Sequence, residues 1–435
     1  MVDRSPLVLA AGIRTPWARS GGAFAREDAG HLGAQVAREL IARTNIDPGT
    51  LDEVITGIAG PPHDQANVSR VIALRAGCPE HVPARTVARN CASGMESVAT
   101  ALTSIKAGEA SLVLALGVEV MSRYPLIFSE KATSVFGELA KARGSGARFS
   151  SFAHFRPAMF APRIALLEGL TDPIPGLIMG KTAELLAREF DLSREDADRF
   201  ALASHERAKS ARDVGRFARE ILPVLPLGAR DGTNALEHDD SIRDEQTLAA
   251  LAKLKPVFEK PDGRVTVGNS CGITDGACAL LVTSEERAVK LGLEPLARFV
   301  SWAWAGLDPA RMGLGPVYSS AKALEKAGLA LEDMDVIELN EAFAAQVLAC
   351  VRACESDEFG RAKLGRKKAL GKIDMAKLNP NGGAIALGHP VGATGSRLLL
   401  TAAHELIARK KRYALATLCI GGGQGGAFIL ERIGA

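Results

Sequence analysis

Apolar residues along this 435-residue chain fall into short runs separated by helix-length amphipathic stretches. That alternation predicts an α/β protein: strands covered on both faces lose their polar positions, while helices keep one polar side. Leu7–Ala11 predicts a first strand, His31–Arg43 an amphipathic helix, and Val54–Gly60 a strand ending in glycine. Arg85–Ala88 predicts a short strand, Ala92–Ala107 a buried helix and Leu112–Gly117 a buried strand. The second half repeats the plan. Asp335–Leu339 predicts a strand, Ala342–Cys354 and Gly392–Arg409 helices, and Tyr413–Cys419 and Ala427–Glu431 two further strands. Each half reads as a distinctive residue, a helix, a turn and an apolar strand. This implies an internal duplication in which Cys91 and His389 hold equivalent places.

The middle, residues 123–257, breaks this rhythm. Between Arg123 and Ala165 seven Lys/Arg stand against two Asp/Glu, interleaved with Tyr124, Phe128, Phe136, Phe149, Phe152, Phe155 and Phe160. A basic, aromatic stretch of this kind suits a membrane surface or an acidic ligand, and equally a partly buried lid with solvated charges. Thr182–Ala211 predicts helix, with Ser193-Arg194-Glu195-Asp196 starting its second part. The basic run Arg361–Lys372 reads as a solvated insertion.

Composition narrows the class. The chain is 47% hydrophobic and 24% charged, with a formal net charge of only +3. Those values fit a soluble globular protein and give no nucleic-acid footprint. Met1–Pro16 lacks the basic and apolar regions of a secretory leader. No window approaches the roughly 20 apolar residues of a membrane span. The seven cysteines include no Cys-x-x-Cys, and Cys350 and Cys354 have no matching histidine pair, so no metal is expected. Free thiols suit a reducing compartment, most simply the cytoplasm.

Candidate chemistry concentrates in three glycine-rich segments: Asn90-Cys91-Ala92-Ser93-Gly94, Asn381-Gly382-Gly383 running to Gly388-His389-Pro390, and Cys419-Ile420-Gly421-Gly422-Gly423. A cysteine is nucleophilic as thiolate, and a nearby base or a helix N-terminus favours that form. Glycines let backbone N–H groups approach a developing oxyanion. The combination points to acyl transfer through a cysteine thioester. A dinucleotide site at Gly421–Gly425 fails, because the ten residues that follow are too few for a βαβ unit. A Walker A loop fails because Pro175 stands where its first glycine belongs.

Together these segments resemble the thiolases over nearly the whole chain. Gly12-Ile13-Arg14-Thr15-Pro16, Asn90–Gly94, Met179-Gly180-Lys181-Thr182-Ala183-Glu184 and Ala252–Phe258 look like the family's motifs in the family's order. So do Thr266–Asn269, Met312–Val317, Asn340-Glu341-Ala342-Phe343 and Gly388-His389-Pro390. The middle region and the insertion before Asn379 look most like the β-subunit of the fatty-acid oxidation (trifunctional) complex. Two departures stand out. Ile178 replaces a histidine often found before Met-Gly, and Cys271 replaces a serine that would contact the pantetheine arm of coenzyme A.

The resemblance implies a duplicated αβαβα five-layer fold. Residues 1–122 with 258–290 would form one half, 123–257 an inserted loop domain, and 291–435 the other half. It implies a 3-ketoacyl-CoA thiolase of fatty-acid β-oxidation, or alternatively an acetyl-CoA C-acetyltransferase. A ketoacyl synthase would be expected to use two histidines, and a non-catalytic acyl-CoA-binding homologue to lack one of Cys91, His389 and Cys419. Cys91 would be the nucleophile, His389 the base and Cys419 the acid. Asn340 with His389 would form one oxyanion hole, and the N–H groups of Cys91 and Gly421 the other. Glu341 would support the site or touch the ligand. Arg243, Phe258, Cys271, Ala342, Phe343 and Met179 would line coenzyme A, which enters as a substrate rather than as a bound cofactor. A homodimer or homotetramer, a hydratase/dehydrogenase α-subunit and a peripheral membrane contact through 123–165 are the implied partners.

Overall fold

The computed structural model describes residues 5–229 and 234–435. Residues 1–4, where the stretch read for a leader begins, and 230–233 in the central region lie outside the described residues. In chain order the first half contains β1 (Leu7–Arg14), α1 (Ala29–Thr44), β2 (Glu53–Gly57), α2 (Val68–Arg75), β3 (Ala84–Val87), α3 (Ser93–Ala107) and β4 (Leu112–Val120). The middle carries α4 (Glu130–Lys141), α5 (Ser145–Phe152), α6 (Met179–Glu189) and α7 (Arg194–Asp213). Then follow β5 (Thr274–Ser284), β6 (Ala297–Gly306), α8 (Gly315–Ala327), β7 (Val336–Leu339), α9 (Ala344–Glu355), α10 (Val391–Arg409), β8 (Tyr413–Ile420) and β9 (Gln424–Arg432).

The large sheet runs β7-β8-β9-β6-β1-β5-β4-β2-β3. Its two halves meet at a short seam, where β1 pairs with β6 through Val8–Arg298 and Leu9–Ala297. On one side of the seam the pairings run antiparallel, antiparallel, parallel, through β1/β5, β5/β4 and β4/β2. On the other side β6/β9, β9/β8 and β8/β7 repeat that sequence. The duplication read from the apolar pattern is therefore a duplication of strand topology.

Three apolar cores stack the layers. Along β4, alternate residues serve different cores: Leu112, Leu114 and Leu116 pack with α1 and α2, whereas Val113 and Ala115 pack with α3 and α10. Side chains alternate across a strand, so a strand between two apolar layers reads as one unbroken apolar run. The α3/α10 core also takes Phe299, Ala414, Ala416 and Phe428 from the other half-sheet. A third core joins α6, α8 and α9 to the outer face of β7, β8 and β9. The order is helix, half-sheet, helix pair, half-sheet, helix, the five layers that the resemblance implies.

Local signals set several boundaries. The stretch predicted as one helical region over Thr182–Ala211 is two helices, and Ser193 starts the second with a full capping box to Asp196. Fully buried Arg14 holds the middle region to the core: its guanidinium donates to both oxygens of Asp239 at 2.7 and 2.9 Å and to Glu220 at 2.8 Å. Among the described residues, no helix is long and apolar enough to cross a membrane.

Candidate active site

The two central helices create the site by starting close together. An added Cβ at Gly94, in the first turn of α3, would lie 2.6 Å from Ser396 Oγ and 2.8 Å from the Gly392 carbonyl, both in α10. Only a residue without a side chain allows that approach. Ser396 Oγ closes the contact by donating to the Gly94 carbonyl at 3.1 Å. Cys91 lies just before one helix and His389 just before the other.

Cys91 sits in a single 3₁₀ turn, Asn90–Ala92. Ser93 Oγ stitches that turn, accepting from the Arg89 N–H at 2.9 Å and donating to the Asn90 carbonyl at 2.7 Å. The Asn90 amide donates to the Gly421 carbonyl at 2.8 Å, tying the nucleophile turn to the β8–β9 turn. The helix N-terminus was expected to favour the thiolate, but the local balance is different. Enclosure by protein pushes the Cys91 thiol above its ordinary pKa, and Glu119 adds to that; the N–H groups of Gly421 and Cys91 itself pull the other way. The thiol therefore needs a base.

His389 is buried, and its backbone N–H donates to the Gly272 carbonyl at 3.1 Å. Its Nδ1 lies 2.6 Å from Thr394 Oγ1, whose hydroxyl donates to the Pro390 carbonyl at 3.1 Å. With the Thr394 hydroxyl directed to the Pro390 carbonyl, we assign the imidazole proton to Nδ1, where Thr394 Oγ1 accepts it, and the lone pair to Nε2. The Asn340 amide approaches that Nε2 at 3.4 Å, and Asn340 Oδ1 is buried without a hydrogen-bond partner. Burial, assisted by the charge of Arg397, lowers the His389 pKa to about 3. The ring is a neutral acceptor at physiological pH.

The remaining sequence candidates divide. Cys419, Ala342, Phe343, Met179 and Phe258 share one small apolar cluster, with the two phenylalanine rings edge-to-face at 6.3 Å. Burial raises the Cys419 thiol well above its ordinary value, and the charge of Cys91 adds to the shift. Cys271 is held by its N–H to the Ala342 carbonyl at 3.0 Å, and burial beside Cys91 pushes its thiol up to about 12. Glu341 is bound by Ser204 Oγ at 2.6 Å and Asn379 Nδ2 at 2.8 Å, which fixes the segment leading to His389. Arg243 is exposed, and its backbone N–H donates to His205 Nδ1 at 3.2 Å. Of the candidates, Cys91, Met179 and Gly421 line the cavity at Cys91, whereas Arg243, His389, Cys419, Asn340, Cys271, Phe258, Ala342 and Phe343 are not among its lining residues.

That cavity has a volume of about 210 Å³. It is lined by Asn90, Cys91, Met179, Gly421 and Gly422, by Ala59, Met121, Tyr124 and Val391, and by Leu166 and residues 169–173 of the middle region.

Comparison with known proteins agrees with this arrangement. Residues 7–286 match the thiolase N-terminal domain and residues 293–432 the thiolase C-terminal domain. This chain belongs to the thiolase family. It is 44% identical over 426 residues to the 3-oxoadipyl-CoA/3-oxo-5,6-dehydrosuberyl-CoA thiolase of Escherichia coli K12, covering 97% of this chain and 98% of that one. The Bacillus anthracis acetyl-CoA acetyltransferase structure superposes with a TM-score of 0.86 at 36% identity, over 100% of both chains. Human mitochondrial 3-ketoacyl-CoA thiolase in complex with CoA gives 0.84 at 36% identity, over 98% of both chains.

The sequence reading of this thiolase missed Thr394, Glu119 and the wall at 166–173. Thr394 lies one turn into α10, where helical periodicity returns its side chain toward the residues before the helix. Glu119 was visible as the lone acid in an apolar strand. Its carboxyl accepts from the N–H groups of Ala59, Gly60 and Gly392 and from the Tyr124 hydroxyl, while burial raises its pKa to about 7.

Proposed function

We propose that this thiolase is a 3-ketoacyl-CoA thiolase (acetyl-CoA C-acyltransferase) that cleaves 3-oxoacyl-CoA with coenzyme A, as fatty-acid β-oxidation requires. The carrying observation is that the two helices starting just after Cys91 and just after His389 touch at their first turns, with His389 kept neutral by burial and the Cys91 thiol kept protonated by its surroundings. His389 takes the Cys91 proton as the sulfur attacks the 3-keto carbon. Negative charge on that oxygen is met by the N–H groups of Cys91 and Gly421. The carbon–carbon bond then breaks, leaving an acyl-Cys91 thioester and the enolate of acetyl-CoA. Cys419 protonates the enolate carbon, and Asn340 with His389 serves the enolate oxygen. The proton held by His389 then restores the Cys419 thiol, so that incoming coenzyme A loses its own thiol proton to His389, attacks the acyl carbonyl and leaves as acyl-CoA, and His389 returns that proton to the Cys91 sulfur. In this reading Arg243, Phe258, Cys271, Ala342, Phe343 and Met179 form the coenzyme A side.

Relatives carrying the acetyl-CoA acetyltransferase name favour a second reading, with acetyl as the transferred group. The cavity size argues for a longer chain. A dry cavity of about 150 Å³ holds a benzene ring, and the space beyond Cys91 is about 210 Å³. The proposal keeps the division into residues 1–122 with 258–290, 123–257 and 291–435. A reducing, cytoplasmic setting fits the seven free cysteines. A homodimer or homotetramer and a hydratase/dehydrogenase α-subunit belong to the same reading. The phenylalanines left exposed at 128, 136, 149, 152 and 160 offer surface for such a partner or a membrane.

The test is cleavage of four-carbon against sixteen-carbon 3-oxoacyl-CoA, with intact-mass detection of the acyl-enzyme. The expected result is turnover of chains beyond four carbons and an adduct that disappears in Cys91→Ala. An acyl adduct on the variant would overturn the nucleophile assignment, and activity confined to acetoacetyl-CoA would favour the acetyltransferase.

A further inference from the structure

We propose that Arg397 and Glu338 are positioning residues for carbon–carbon bond cleavage, their buried contact setting the distance at which Asn340 meets His389. The inference rests on the reading above, in which Asn340 and His389 together serve the enolate oxygen, and extends it to what holds those two groups at that separation.

Asn340 stands at the end of β7 and His389 just before α10, in facing layers. Along β7, Ile337 and Leu339 pack into the outer core, whereas Val336 packs into the core shared with α3 and α10. Side chains alternate along a strand, so Glu338 and Asn340 face α10 as well. On α10, Thr394 and Arg397 are three residues apart and share a face. Two polar contacts therefore run from the strand to the helix side by side. The Asn340 amide approaches His389 Nε2 at 3.4 Å, and Arg397 Nη1 donates to Glu338 Oε2 at 2.8 Å.

The first contact is long and does not fix itself. Asn340 Oδ1 is buried without a hydrogen-bond partner, and the Asn340 N–H is spent on the Thr417 carbonyl of β8 at 3.0 Å. β7 pairs with β8 on one side and with Leu378 on the other. Such bonds lie in the plane of the sheet. They fix where β7 runs within its layer, not how far it stands from α10. The Arg397–Glu338 contact spans that gap two residues from Asn340, with side chains only 1% and 0% exposed. Among the described residues, Arg397 Nε, Arg397 Nη2 and Glu338 Oε1 have no hydrogen-bond partner, so each side chain is anchored by the other. Burial pushes the Glu338 carboxyl up to about 8, and Arg397 opposes that shift. Protonated or not, the carboxyl keeps a lone pair for the guanidinium.

The experiment separates two reactions that share Cys91 and His389. Cleavage of 3-oxohexanoyl-CoA passes through the enolate, whereas exchange of labelled coenzyme A into butyryl-CoA forms the same acyl-enzyme without it. The double change Arg397→Met with Glu338→Leu keeps the site filled and leaves no unpaired buried charge. It should lower kcat for cleavage by roughly tenfold, with KM and the exchange rate changed by less than about twofold, the scale of a lost coupling between neighbouring groups. Asn340→Ala should show the same selective loss, and combining it with the double change should add little, because the pair acts through Asn340. Equal losses in cleavage and exchange, or losses that multiply in the combined enzyme, would overturn the proposal and leave the thiolase reading standing. Wild-type cleavage by Asn340→Ala would remove the enolate role of Asn340, and the proposal with it. A wild-type chain that cleaves no 3-oxoacyl-CoA would refute the thiolase reading itself. Glu338→Asp keeps both charged groups and draws the carboxyl back by one methylene, so it carries the test if the double variant does not fold. It should slow cleavage and spare exchange, and wild-type cleavage by this variant would also overturn the proposal.

Discussion

Replacing Thr394 with valine tests how His389 is made into a base. The substitution keeps the branched shape and removes the one oxygen, 2.6 Å from Nδ1, that accepts the ring proton. Thr394 and His389 are both buried, so water has no easy route to replace it. An unsatisfied buried donor costs about 1–3 kcal/mol. The ring can escape that cost by moving its proton to Nε2, but this consumes the lone pair that must take the Cys91 proton. Either way the reactive tautomer is destabilised by about 1–3 kcal/mol, which corresponds to roughly a 5- to 150-fold loss in rate. Rapid-mixing measurement of acyl-enzyme formation should show that loss in the chemical step with KM little changed. Thr394→Ser, which restores the oxygen without the methyl group, should recover most of the rate. A Thr394→Val enzyme that acylates at the wild-type rate would refute the tautomer assignment.

Two other predictions concern how the site is held. Gly94→Ala places a methyl group 2.6 Å from Ser396 Oγ and 2.8 Å from the Gly392 carbonyl, so it should cost about 1–3 kcal/mol of stability and reduce acylation as the helix starts separate; thermal unfolding with a parallel activity assay would show neither change if the close approach were unimportant. Burial moves the His389 pKa from its ordinary 6.5 to about 3, so between those values the unfolded chain binds a proton that the folded chain refuses. Stability should then fall as pH falls through this window, by roughly 2 kcal/mol at pH 4.5 from this group. His389→Asn should lose less melting temperature than wild type between pH 6.5 and 4.5, and parallel curves would contradict the assignment.

The sequence by itself determined the layers. Strands buried on both faces must be apolar throughout, and helices facing one layer must be apolar on one stripe, so β4, α3, α10 and β8 were legible with shifts of a few residues at their ends. Cys91, His389 and Cys419 were legible too, because glycines and a proline beside a reactive side chain mark a constrained backbone. The tertiary structure alone decided their state. The proton position on His389 depends on Thr394 and the Pro390 carbonyl, and the thiol of Cys91 is governed by its enclosure, Glu119 and the Gly421 N–H, 330 residues away in the chain. The cavity at Cys91 was likewise hidden, since its lining joins the two turns at Asn90–Cys91 and Gly421–Gly422 to Met179 at the start of α6 and to residues 166 and 169–173 of the middle region. Periodicity records which face of an element is buried. It does not record which elements are neighbours, and electrostatics at a buried site is set by neighbours.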